Sequence, residues 1–121
     1  MSVHHLALPD ERGRLEIVRF VLPPEGPQDH ARNAAAILAG LEANHPGLWA
    51  MNPELAQARR RTESAIVLLE LPTRSGYPHA AAHLRRAVDA LCVAPIEWDL
   101  VTDVRAVAAL LIHAIFLVEG A

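Results

Sequence analysis

Four residues of this chain carry groups suited to acid–base chemistry: Arg19, Glu70, His113 and Glu119. If the segments that hold them are strands, all four share one sheet face, because alternate side chains of a strand point the same way. Burial on an apolar background moves the titration of a histidine or a carboxylate toward neutrality, where general acid–base catalysis works best. Arg19 would add a binder for an anionic substrate group. The weightier interpretation of the same four residues is an ion-pair network at an interface, with a hydrogen-bonded histidine.

His79 and His83 stand four apart at a helix start and so face the same way. Such a pair holds zinc or copper if a third ligand arrives, with His30 or Glu42 the nearest choices. The residues between them are all alanine, so the His-Glu-x-x-His pattern is missing and a solvated helix face is preferred. His30 and His79 occupy matching places 49 residues apart, which reads either as two related sites or as two helix-start residues packed on loops. Arg59, Arg60 and Arg61 fan around a helix and read as a solvated end. Cys92 falls on the apolar side of its helix and reads as core. No glycine-rich phosphate loop, nucleophile elbow or paired-cysteine knuckle is present, and no motif calls for a cofactor.

The elements that would position these groups come from a near-repeat. Ile17-Val18 returns as Ile66-Val67, Leu22-Pro23 as Leu71-Pro72, His30-Ala31 as His79-Ala80, and Trp49 as Trp98, each 49 residues on. A fixed period means one supersecondary unit used twice, here over residues 15–63 and 64–121 of a single domain. Leu15 to Leu22 alternates, is β-branched and ends at Pro23-Pro24, which reads as a strand. By equivalence 65–71 and 114–119 become strands as well. Helices are expected over 29–44, with Asp29 as cap, over 53 to about 62 after the Asn52-Pro53-Glu54 start, over 78–92, and from 99 or 102 to about 111. The fold class is therefore α+β, β-α-α-β-α-α-β, a three-stranded sheet with four helices mainly on one face. The rival is a four-helix bundle with an N-terminal strand, in which single helices run from Pro53 to Leu71 and from Asp99 to Val118.

In the α+β arrangement, Val18, Phe20, Leu22, Val67, Leu69, Leu71, Phe116 and Val118 meet the helices. The opposite face carries Ile17, Val21, Ile66, Leu68, Ile115 and Leu117 among the charged residues. Six aliphatic side chains make an apolar patch of the size that marks an interaction site. A two-fold dimer would cover it, and Leu68→Glu or Leu117→Glu would then break the association. Trp49 and Trp98 read as anchors that plug loops into the core.

Bulk properties frame the function. The chain has 121 residues, 52% of them hydrophobic, and a formal net charge of −3. That is enough for one ordinary core and gives no basic field for nucleic acid. All eleven basic residues are arginine, which with the alanine content points to a GC-rich bacterial gene. A single cysteine fits a reducing compartment, and the charged start with Pro9 does not read as a signal peptide. The apolar stretch 106–118 is interrupted by His113 and too short for a bilayer, so no membrane role is expected. The expected function is a cytoplasmic interaction or assembly module, a homo-oligomer or a subunit of a larger complex. The alternative is a small isomerase- or cyclase-like enzyme, or a ligand-binding protein, with its pocket on the charged part of the sheet face.

Overall fold

Prolines open four helices. Pro27, Pro46, Pro53 and Pro78 each stand in the first two helical positions, where a missing N–H costs nothing and the fixed φ already suits a helix. The computed structural model describes the backbone of residues 2–9, 15–22, 26–94 and 100–120, and the side chains of 26–94 and 100–120. Strand β1 (Ser2–Pro9) pairs antiparallel with β2 (Leu15–Leu22), with Val3 opposite Val21 and Ala7 opposite Ile17. Helices α1 (Pro27–Asn44), α2 (Pro46–Met51) and α3 (Pro53–Leu69) follow. A short 3-10 turn (Arg74–Gly76) leads into α4 (Tyr77–Val93), and α5 (Val101–Glu119) comes last.

The three-stranded α+β sheet expected from the sequence does not form. Residues 26–94 and 100–120 are helical apart from turns, and contain no strand. The segments 65–71 and 114–119 belong to the ends of α3 and α5. The physical reason is a helical stripe that passes through both. Leu55, Ala58, Thr62, Ala65 and Leu69 are buried along α3 at spacings of three and four. Thr62 looks like a stop, but its hydroxyl donates to the Ala58 carbonyl at 2.8 Å and is satisfied inside the helix. On α5 the buried stripe is Val104, Val107, Leu111, Ala114 and Val118, every member 49 residues after its α3 counterpart. The buried His30, Ala31, Ala34 and Leu41 of α1 lie 50 residues before Ala80, Ala81, Leu84 and Leu91 of α4. The period thus marks a helix pair, not a β-α-α unit, and residues 63 and 64 both lie within α3.

The four long helices form an up-down-up-down square. Packing runs α1 to α3, α3 to α4, α4 to α5 and α5 back to α1. Their directions follow from which ends meet: Arg32 of α1 pairs with Glu70 after α3, and Glu42 at the end of α1 pairs with Arg59 near the start of α3. The starts of α1 and α4 therefore share one end of the bundle with the ends of α3 and α5. Alanine fills much of the interface, which lets helix axes approach closely. Leu38, Leu55, Leu84 and Leu111, one from each long helix, are the largest side chains wholly withdrawn from solvent, together with Val107 and Thr62. At the start of α1 the N-cap is Gly26, not Asp29. Asp29 stands one turn in, and its carboxylate accepts the Gly26 N–H at 3.3 Å.

Candidate functional site

Glu70, His113 and Glu119 are not assembled on a sheet face, because they stand on helices. Glu70 caps the end of α3 and pairs with Arg32. Glu119 ends α5 and pairs with Arg85 of α4. The two carboxylates thus sit on diagonally placed helices, each with its own arginine. The side chain of Arg19 lies outside the described residues, as do those of Ile17, Val21 and Trp98.

His113 instead faces His30. Their ring centroids are 5.6 Å apart with planes at 85°, an edge-to-face contact between α5 and the first turn of α1. Both rings are buried, at 3% exposure for His30 and 7% for His113. Neither ring nitrogen of His30 has a hydrogen-bond partner among the described residues. His30 and His79 are not equivalent in environment: His79 is on the surface.

His79 and His83 do share a face of α4, and cations surround it. Nδ1 of His83 lies 3.3 Å from a terminal nitrogen of Arg61 on α3. A guanidinium only donates, so Nδ1 accepts and the ring proton resides on Nε2. Burial lowers the pKa of His83 from its ordinary 6.5, and Arg61, Arg86 and His79 lower it further. Two guanidiniums beside the ring repel a metal cation, and no group of three metal-ligating side chains occurs among the described residues. Of the arginine run, Arg59 pairs with Glu42 and donates from Nε to Glu63 at 2.9 Å, while Arg61 turns to His83.

Of the six aliphatic residues expected on an interface, the four described ones, Ile66, Leu68, Ile115 and Leu117, are divided between α3 and α5. Ile66, Leu68 and Ile115 are half-buried and pack against the core, and Leu117 is half-buried. Trp49 also packs against the core, from α2. Cys92 is exposed rather than core, because Leu91 takes the inward position beside it.

The uncovered apolar surface lies elsewhere. Helix α5 has a mean hydropathy of 2.0, yet only 39% of that window is buried. At 19 residues it is the described helix whose length and composition would cross a membrane, and in this fold it packs between α1 and α4. Ala109, Ile112 and Phe116 form its outward line, with Phe116 exposed. Most outward positions of the other long helices are polar, with Arg32 and Asn33 on α1, Arg60 and Glu63 on α3, and Arg85 and Arg86 on α4, although Val67 of α3 and Val93 of α4 are exposed as well.

Sequence reasoning missed the Arg61–His83–Arg86 cluster and the His30–His113 contact. The first had a signal in the spacing of 79, 83 and 86, which line up on a helix. The second depends on α1 and α5 being neighbours, which no local pattern shows. In comparisons with protein-family models, curated proteins and solved structures, the chain matches none.

Proposed function

We propose that this protein is a self-associating helical module whose α5 helices pack against each other across a two-fold axis. The observation that carries it is the unbroken apolar outward line Ala109–Ile112–Phe116 on α5, whereas the exposed Val67 of α3 and Val93 of α4 each stand one turn from a carboxylate, Glu63 and Asp89. A helix that is apolar all round is stable in water only when covered. Charge at its two ends selects a second copy as the cover. One end of the line carries Arg105, and the other carries Glu119 with Arg85 alongside. An antiparallel pairing sets Arg105 against the second copy's Glu119, over a span of about 21 Å at 1.5 Å per residue. The small Ala109 between larger neighbours lets the helices approach. The cytoplasmic bacterial setting expected from composition is part of this proposal, supported by the lone cysteine.

Native mass spectrometry and sedimentation equilibrium on the full chain test it. The wild type is expected as a dimer, and Phe116→Glu and Ile112→Arg as monomers with unchanged helical circular dichroism. A wild-type monomer at tens of micromolar, or variants that remain dimeric, overturns the proposal. So does flotation of wild-type protein with neutral liposomes, which would assign the α5 face to a bilayer.

A further inference from the structure

The pseudo-two-fold relation between helix pairs allows the molecule to be compared with itself. The groove between α3 and α4 corresponds to the groove between α5 and α1. Offsets of 49 and 50 place Leu110 where Arg61 stands, Asn33 where His83 stands, and Ala36 where Arg86 stands. One groove is therefore cationic while its counterpart has no charge at any of these positions. The bundle does not need these three residues for its framework, because the same framework is built without them.

We propose that the α3–α4 groove is a binding site for a phosphoryl group on a small molecule, held by Arg61, Arg86 and His83. Arg61 and Arg86 have no acidic partner among the described residues, unlike Arg32, Arg59 and Arg85. Guanidinium forks match phosphate oxygens in geometry and stay charged at any working pH. Arg61 already holds Nδ1 of His83 as an acceptor, which leaves Nε2–H as a donor for an oxyanion. His79 adds a second imidazole one turn away, on the same face. Beyond Arg86 the groove runs into a depression lined by Gln57, Asp89, Ala90 and Val93, so one carboxylate stands at its far edge. That carboxylate leaves one net positive charge while His83 is neutral, and two once His83 takes up a proton, so a dianion matches the protonated site.

The charge arrangement also sets how binding depends on pH. Burial first, and then the guanidiniums of Arg61 and Arg86 and the ring of His79, hold the His83 proton affinity down in the free protein; a bound dianion draws Arg61 away from Nδ1 and offsets the positive field, so that Nδ1 can take up a proton. Binding is then coupled to proton uptake and tightens as pH falls through the histidine range.

The test uses inorganic pyrophosphate as probe and the full-length chain in low salt, followed by calorimetry and by NMR of the histidine ring protons. Expected are saturable binding that is several-fold tighter at pH 6 than at pH 7.5, and a His83 midpoint that moves up with pyrophosphate. Arg61→Gln should weaken binding about tenfold or more, as for loss of a charge-assisted hydrogen bond. His83→Gln should remove the pH dependence and leave the fold intact by circular dichroism. An unchanged His83 titration at millimolar pyrophosphate overturns the proposal, as does equal binding by Arg61→Gln. Vesicles containing phosphatidic acid form the second arm, and binding to them without any to pyrophosphate overturns the small-molecule assignment.

Discussion

The rings of His30 and His113 meet edge to face, 5.6 Å between centroids, at the end of the bundle where α1 begins and α5 finishes. One turn of α1 and the last turns of α5 are thus joined through two imidazoles in an otherwise apolar interface. Buried polar groups without partners reduce stability, and replacing one by an apolar group of similar size is neutral or stabilising. His30→Leu is therefore expected to raise stability by about 1 kcal/mol, read from urea melts. His30→Ala is expected to lower it by about 1–3 kcal/mol, because the ring's packing is lost and a void remains. A destabilised His30→Leu would show that the imidazole nitrogens are satisfied in solution.

His83 predicts how the fold responds to acid. Its pKa is lowered in the folded chain by burial, Arg61, Arg86 and His79, and returns to about 6.5 on unfolding. The unfolded state therefore binds more protons between the two values, and stability rises with pH across that window. Acidification below about pH 6.5 should weaken the fold, with no loss above it. His83→Gln should flatten this part of the stability–pH curve measured by chemical denaturation in phosphate-free buffer. A variant with the wild-type slope would place the titrating group elsewhere.

The same substitution should have opposite signs at two glycines. A Cβ at Gly76 would stand 2.8 Å from the Leu68 carbonyl oxygen and 3.2 Å from both Leu68 Cβ and Leu71 Cδ1. The α3–α4 turn can close only with glycine there, so Gly76→Ala should cost about 1–3 kcal/mol. At Gly40, inside α1, nothing lies within 4 Å of the added atom. Gly40→Ala should add about 0.5–1 kcal/mol through helix propensity. Thermal melts of the two variants check both signs, and a stabilised Gly76→Ala would mean that the turn is built differently.

Much of the helical framework was legible locally. Asn52-Pro53-Glu54 marks the start of α3, and α1 and α4 begin within two residues of expectation. The strand at Leu15–Leu22 was legible from alternation, though its partner Ser2–Pro9 was not. The error came from extending that strand by analogy to 65–71 and 114–119. Short apolar runs are ambiguous alone, and what decides them is continuity with the stripe before them: Leu55 to Leu69 in one case, Val104 to Val118 in the other. The site suffered for the same reason. Alternation put Glu70, His113 and Glu119 on one face, whereas a rotation of about 100° per residue sends His113 inward and leaves the carboxylates to surface arginines.

The Arg85–Glu119 pair separates folding from association. Both side chains are well exposed, at 55% and 43%, so the pair should add no more than about 1 kcal/mol to the stability of a single chain. Glu119→Gln is then expected to leave the denaturation midpoint of the monomeric Phe116→Glu background nearly unchanged. In the self-association proposed for α5, however, Glu119 also meets Arg105 of the second copy across an apolar contact that excludes water. There the loss is larger, and the dimer dissociation constant should rise by about tenfold, more at low salt than at high. Reversing the pair as Arg85→Glu with Glu119→Arg keeps the exposed contact within one chain. Across the interface, however, it sets a guanidinium against Arg105 of the second copy. That double variant should fold normally and fail to associate. Sedimentation equilibrium at two salt concentrations reads both effects, and a double variant that dimerises like the wild type would rule out the antiparallel register.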